Sequence, residues 1–141
     1  MIPEVLHDDA DRLAKSGLAP RCVRVLVEPQ EREPADALAN ARAIRARLAE
    51  AGIDRPLLLH GYGPAAWDVL RVAVADGLDT RIGLEDATTL PDGSAPAGNA
   101  DLVAAAVALA RAEEPPCAIQ EDGDVVDSVQ LHRSNRGVAR L

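Results

Sequence analysis

The sequence predicts an α/β protein built on a parallel sheet, and three observations lead to that fold class. Short, continuously apolar segments at residues 22–29 and 56–61 have the composition of strands buried on both faces. Amphipathic helical patterns follow these segments, so strands and helices alternate along the chain. The 141 residues are enough for one domain with a buried core. Units of this kind form either a small open sheet or part of a (β/α)8 barrel, which takes about 250 residues.

The first predicted helix is short, and the first predicted strand follows it. Asp8 or Asp9 can cap this helix, which continues through Leu13 and stops at Gly17. The run CVRVLVEP, residues 22–29, is then a strand because it is rich in β-branched residues and ends in proline.

The next two predicted helices begin at prolines and end at glycines, and a strand lies between them. One helix extends from Pro34 to Gly52 and the other from Pro64 to Gly77. The intervening segment PLLLHG, residues 56–61, is the second predicted strand. Apolar residues recur at three- and four-residue steps in both helices, as expected for one buried face: Leu38, Ala41, Ile44, Leu48, Trp67, Leu70 and Val74.

TRIGLED, residues 80–86, is the third predicted strand, and a turn and a helix follow it. The turn is PDG at residues 91–93, and Asn99 is expected to cap a final helix over residues 100–112. The long connection that carries this turn is either a substrate lid or simply a long loop.

The repeating pattern of strand and helix stops after Glu114. We therefore expect a domain over residues 1–114 and a divergent, partly irregular tail over residues 115–141. One strand is predicted in the tail, near residues 125–131, and no structure is assigned to residues 134–141.

Composition and charge exclude several classes of function. The net charge of −8 argues against a nucleic-acid-binding surface, which needs clustered cations. Cys22 and Cys117 lack metal-binding spacing and are expected to be reduced thiols. No apolar run approaches the roughly 20 residues of a membrane helix, and the acidic N-terminus does not resemble a signal peptide. A cytoplasmic protein is the expectation.

Ionisable residues follow each predicted strand, where parallel α/β folds bind ligands. Glu28 follows the first strand, His60 the second, and Glu85 and Asp86 end the third. These residues are expected to meet at one rim of the sheet. Strand ends also carry polar residues simply because they meet water, so the rim is either a functional site or an ordinary solvent boundary.

The third predicted strand contains three charged residues that could act in a site. Alternation places Arg81, Gly83 and Glu85 on one face, and Asp86 on the other face or in the loop. Glu85 could then ligate a divalent metal beside Asp86 as a general base, with Arg81 binding an anionic substrate. The alternative is an ordinary arginine–carboxylate ion pair, which contributes little stability.

His60 is either a hydrogen-bond donor to a substrate or an exposed residue. No histidine pair in the sequence has the spacing of a metal chelate. The HGYGP segment that begins at His60 leads towards a helix N-terminus, where anions bind, but it lacks the spacing of a nucleotide-binding loop.

Three long segments resemble the C-terminal half of the β-keto acid cleavage enzyme family, which includes 3-keto-5-aminohexanoate cleavage enzymes. They are RLAKSGLAPRCVRVLVEP, LLLHGYGPAAWDVLRVAVADGLDTRIGLED and TLPDGSAPAGNADLVAAAVALAR, and the resemblance covers residues 9–112. It implies the C-terminal half of a zinc-dependent TIM (β/α)8 barrel. It also implies an acyl transfer in which a β-keto acid and acetyl-CoA yield acetoacetate and a new acyl-CoA.

The same resemblance implies distinct roles for the three charged residues of RIGLED. Glu85 matches a zinc ligand, Asp86 the base that activates the substrate, and Arg81 an anion-binding and transition-state residue. His60 and Glu28 belong to the substrate-pocket rim by strand position only. The family's early-strand HxH zinc ligands, its early serine, threonine and glutamate pocket residues, and its usual C-terminal ending have no counterpart in this sequence.

Three hypotheses follow for the function. The first is a β-keto acid cleavage enzyme whose site is incomplete until another half supplies the missing zinc ligands. The second is a non-catalytic, truncated half-barrel that forms a homo-oligomer or complements a separate N-terminal half, because open sheet edges and apolar faces favour association. The third, a small flavodoxin-like binding domain, rests on the strand–helix pattern alone and ranks last.

Overall fold

A computed structural model of the chain describes residues 1–6 and 9–113, and it has three strands and four α-helices in these ranges. In chain order they are β1 (Glu4–Val5), α1 (Asp9–Ser16), β2 (Val25–Val27), α2 (Pro34–Glu50), β3 (Leu57–Leu59), α3 (Ala66–Ala75) and α4 (Asn99–Glu113). Short 3-10 turns precede β2 and α3. The predicted α/β class is confirmed. The tail beyond Glu113, with its predicted strand and Cys117, lies outside the described residues.

The strands form one parallel sheet in the sequential order β1-β2-β3. Val5 is paired with Val27, and Val27 with Leu59. A single further bridge joins Leu58 to Asp79, and the Leu59 amide donates to the Asp79 carbonyl at 2.9 Å. The sequence did not predict β1, which has only two residues.

The main hydrophobic core lies between one face of the sheet and the helices α1, α2 and α3. Val25, Val27 and Leu59 are fully buried there, against helix residues such as Ile44 and Val69. Consecutive helices contact one another in chain order. Burial of these β-branched and leucine side chains provides the main stabilisation of the sheet.

The opposite face of the sheet is only partly covered. Alternation along the paired strands places Glu4, Leu26 and Leu58 on this face, together with Glu28 and His60 just beyond the strand ends. Leu26 and Leu58 are half-buried and belong to neither hydrophobic core. The helices that pack on the three strands therefore cover one face, and the charged residues lie on the other.

A second, smaller core joins α3, α4 and the connection between them. Trp67 and Leu70 of α3 pack with Leu102 of α4 and with Ala87. The Trp67 indole Nε1–H donates to the Thr89 carbonyl at 2.8 Å. This bond satisfies the buried indole and fixes the connection that follows Asp86.

The helical predictions agree with the structure in their positions. Pro34 occupies the first turn of α2, and Gly52 follows the helix with a φ of 69°, a conformation that glycine adopts without strain. The helix predicted from Pro64 begins as a 3-10 turn and becomes α-helical at Ala66. The predicted turn at residues 91–93 is also present, closed by the Gly93 amide donating to the Leu90 carbonyl.

The predicted third strand over residues 80–86 is wrong. Asp79 alone bridges to the sheet, residues 81–83 have no regular structure, and residues 84–86 form a turn. The chain turns because the Gly83 carbonyl accepts hydrogen bonds from the amides of Asp86 and Ala87. The alternation assumed for Arg81, Gly83 and Glu85 therefore does not apply.

No helix within the described part of the chain is both long and apolar enough to cross a membrane. Cys22 is a buried free thiol.

Candidate functional site

Arg81 connects the two carboxylates of the RIGLED segment. Its Nη2 atom lies 2.7 Å from Glu85 Oε1 and 3.0 Å from Asp86 Oδ1. The two carboxylates differ in environment, because the Glu85 side chain is 72% exposed and that of Asp86 is 3% exposed. Burial opposes the charge of Arg81, but the hydrogen bond and negative charge of Asp86, with Glu85, raise the pKa of Arg81 above its usual value. Arg81 is therefore a permanent cation.

Hydrogen bonds from two neighbouring elements hold this turn in place. The Leu84 amide donates to Asn99 Oδ1 at the start of α4, at 2.7 Å. The Gly63 amide, just before α3, donates to the Asp86 carbonyl at 2.7 Å. A Cβ atom at Gly83 would lie 3.4 Å from Asn99 Oδ1, which is ordinary van der Waals contact, so α4 lies directly against the turn. Asn99, predicted as a helix cap, thus also anchors the turn.

His60 lies beside Asp86 and is 1% exposed. Its Nδ1 atom is 3.3 Å from Asp86 Oδ1, and its Nε2 atom is 3.8 Å from Glu28 Oε2. The next residue, Gly61, lies so close to α3 that a Cβ atom there would be 2.8 Å from Val69 Cβ. The backbone beside His60 is therefore packed directly against this helix. Burial, and then the charge of Arg81, lower the pKa of His60, while Asp86 and Glu4 oppose this shift.

Glu28 forms the far end of the cluster and contacts a residue that the sequence analysis missed. Burial, then a hydrogen bond with Glu4 and the charge of Glu4, raise the pKa of Glu28 from its usual 4.5 to about 7; Arg81 opposes this rise and Asp86 adds to it. Glu4 escaped notice because β1 is too short to recognise. The only signal was a glutamate within the apolar stretch IPEVL.

The structure thus brings Glu28, His60, Asp86 and Arg81 together at the ends of β2 and β3, and it turns Glu85 towards solvent. Beside this cluster is a cavity of about 360 Å³. Glu85 and Asp86 line this cavity. The other lining residues were not selected in the sequence analysis: Arg32, Tyr62, Gly63, Pro64, Thr88 and Thr89. Arg32 supplies a guanidinium to the lining, and Arg81 lies against Asp86 at its border, so a small anionic molecule can bind there.

The residues of the described ranges do not fit a zinc ion on their own. Within residues 1–6 and 9–113, no group of three or more histidine, cysteine, aspartate or glutamate residues is arranged to hold a metal ion. A catalytic zinc site normally has three protein ligands. Glu85, the ligand that the resemblance implies, is exposed and already paired with Arg81. Any zinc at this position needs ligands from elsewhere.

Comparison with known proteins identifies the family. A search of curated proteins finds no match. The family model of the beta-keto acid cleavage enzyme, BKACE, matches residues 10–122, which is most of the chain and extends past Ala112, where the resemblance was expected to end. The chain is therefore a member of the beta-keto acid cleavage enzyme family.

Proposed function

We propose that this chain forms the C-terminal half of a BKACE-type (β/α)8 barrel and supplies one corner of its active site. The reaction is the transfer in which a β-keto acid and acetyl-CoA give acetoacetate and the acyl-CoA of the remaining fragment. The family match and the geometry of Arg81 with Asp86 support this proposal. The sheet supports it too, because a barrel has sequential strands with helices on one face, whereas a doubly wound fold has helices on both faces.

The observation that carries the proposal is the pairing of a permanent cation with a buried carboxylate that itself lines an open cavity. Arg81 lies against Asp86 and remains partly exposed, so its guanidinium can bind the carboxylate of a β-keto acid. Asp86 lines the cavity, where it can accept a proton from the bound substrate. Glu85 contributes one candidate metal ligand at the mouth of the same cavity.

The zinc ion of the proposed site needs ligands that the described residues do not provide. Two copies of this chain would not supply the missing HxH pair, because the sequence contains no such pair. A BKACE-type N-terminal half that carries an HxH strand would supply this pair and complete the enzyme. We derive no chemical step through the metal, since the described residues do not form its site.

The alternative is a non-catalytic half-barrel that associates with itself. An apolar groove of about 370 Å³ lies between α3, residues 80–82 and α4. Val103 and Val107 of α4 are 49% and 42% exposed along this groove. A face of this kind, beside the open edge at Asp79, favours association of two copies.

One experiment separates the two functions. The full chain is mixed with a BKACE-type N-terminal half that carries an HxH strand, zinc, acetyl-CoA and a panel of β-keto acids, and acetoacetate is measured. We expect acetoacetate only from the pair, and we expect Asp86→Asn to lower kcat by about 100-fold or more. Glu50→Gln, at the exposed end of α2, is the matched control and should leave the rate unchanged.

Two other outcomes argue against the enzyme. A pair that associates but forms no acetoacetate from any substrate would contradict the proposed function. A stable dimer of the chain alone by light scattering, together with no binding to the N-terminal half, would establish the non-catalytic alternative.

A further inference from the structure

His60 is a buried polar residue whose ring nitrogens lack well-aligned hydrogen bonds. Both Nδ1 and Nε2 are inaccessible to water and have no partner that meets hydrogen-bond geometry. Such groups are rare in folded proteins and call for an explanation. A carboxyl group lies near each nitrogen, Asp86 at 3.3 Å from Nδ1 and Glu28 at 3.8 Å from Nε2. Small movements of the side chains would complete both bonds.

The two carboxyl groups are not equivalent. Asp86 Oδ1 already accepts from the Arg81 guanidinium at 3.0 Å, so Asp86 acts as an acceptor. Glu28 contacts the carboxyl of Glu4, and its raised pKa of about 7 means that it carries a proton for much of the time at neutral pH. Glu28 can therefore donate a hydrogen bond, which Asp86 in this pairing does not.

The charges around the ring favour neutral imidazole. The groups that face His60 are Glu28 after β2, Glu4 on β1, and Arg81 and Asp86 from the turn. Burial and the cation of Arg81 disfavour a second positive charge. A neutral imidazole has one donor and one acceptor nitrogen, so the two carboxyl groups decide which nitrogen carries the proton.

We propose that His60 is a positioning residue for Asp86, held as the neutral Nδ1–H tautomer that donates to Asp86 Oδ1 and accepts at Nε2 from Glu28. The positioning role rests on the proposed function, in which Asp86 is the base. Arg81 and His60 then both contact Oδ1, and among the described residues no hydrogen bond falls on Oδ2. Oδ2 is thereby the oxygen left to accept the substrate proton.

The tautomer is measured directly by NMR. Long-range ¹H–¹⁵N spectra of the full chain at pH 7 distinguish an Nδ1–H imidazole from an Nε2–H imidazole and from imidazolium, and His60→Asn identifies the His60 signals. We expect the Nδ1–H tautomer. An Nε2–H tautomer or an imidazolium at pH 7 would overturn the proposal.

Two variants test which neighbouring carboxyl group determines the His60 tautomer. Asp86→Asn removes the charged acceptor, so the Nδ1–H preference should weaken into a mixture. Glu28→Gln retains a donor, so the preference should persist, as it should in the Glu50→Gln control. A spectrum that Asp86→Asn leaves unchanged would contradict the assigned contact.

Activity of the completed enzyme tests the positioning role separately. An asparagine amide can replace the Nδ1–H donor, whereas leucine cannot, so His60→Asn should retain most of kcat and His60→Leu should lose about 10-fold or more with KM little changed. Equal losses in both variants would contradict positioning by Nδ1–H. The NMR result does not depend on activity, so a correct tautomer in an inactive pair would count against the proposed function alone.

Discussion

At the residue scale, the cluster around His60 combines groups that stabilise one another's unusual protonation states. Glu28 lies against Glu4 in a partly buried position, where the protonated form is favoured. His60 lies between Glu28 and Asp86, and its surroundings favour the neutral imidazole. Arg81 contacts both Glu85 and Asp86, and these two carboxylates line the cavity.

Glu28 should make the stability of the fold depend on pH. Its raised pKa means that the native state keeps a proton that the unfolded chain releases between pH 4.5 and about 7. Stability from this group is therefore complete below pH 4.5 and declines as pH rises to about 7. The upper bound is about 3 kcal/mol, and coupling to Glu4 and contact with water reduce it.

Urea unfolding of the native chain and Glu28→Gln from pH 4.5 to 7.5 measures this effect. The advantage of the native chain over the variant should shrink as pH rises, while Glu50→Gln should follow the native curve. Comparison of variants is necessary because His60, whose pKa is lowered, contributes the opposite slope. Parallel curves for the native chain and Glu28→Gln would rule out the raised pKa.

At the element scale, the connection between β3 and α3 determines where His60 lies. Gly61 passes so close to α3 that a Cβ atom would lie 2.8 Å from Val69 Cβ and 3.1 Å from the Ala65 carbonyl oxygen. Contacts this short leave no room for any other residue without movement of the helix. Gly98, before α4, has no atom within 4 Å of the same position and gives a matched comparison.

We expect Gly61→Ala to destabilise the protein by about 1–3 kcal/mol, because the added methyl group must displace α3 or the strand end. Gly98→Ala should change stability by no more than about 0.5 kcal/mol. Urea unfolding of the two variants checks both values. A Gly61→Ala protein as stable as the native chain would mean that α3 packs less closely on β3 than the structure indicates.

The elements also show how far the sequence alone could lead. Proline and glycine at the ends of α2 determine that helix locally, so its position was predictable. The residues of TRIGLED resemble a strand, but contacts from Gly63 and Asn99, distant in sequence, bend it into a turn. Sequence patterns do not contain such contacts. The two-residue strand β1 is likewise defined only by its pairing with β2.

The candidate site, too, could be predicted only where its residues are close in sequence. Arg81 and Asp86 were predicted as site residues from one long family-like segment; their roles stay a prediction, and the structure places the two side chains in contact. The sequence could not show that Glu85 is exposed and Asp86 is buried, because the turn alone directs these two adjacent side chains into different environments. Glu4 and Arg32 join the site through tertiary folding and have no local signal.

At the scale of the whole molecule, the two faces of the sheet differ in what covers them. The helices that pack on the sheet cover one face, the charged residues occupy the other, and an apolar groove lines the end of the row of helices. Arg81 and Asp86 are in contact, and the described residues include no group of side chains arranged to hold a metal ion. We therefore expect this family member to be inactive unless zinc ligands are supplied from outside the described residues.

Acetoacetate formation by the isolated full chain tests this claim most directly. The purified protein is incubated with zinc, acetyl-CoA and a panel of β-keto acids, and acetoacetate is measured against an Asp86→Asn control. The account predicts that the native chain and the variant both remain at background. Robust, zinc-dependent acetoacetate formation by the native chain alone, lost in Asp86→Asn, would contradict it.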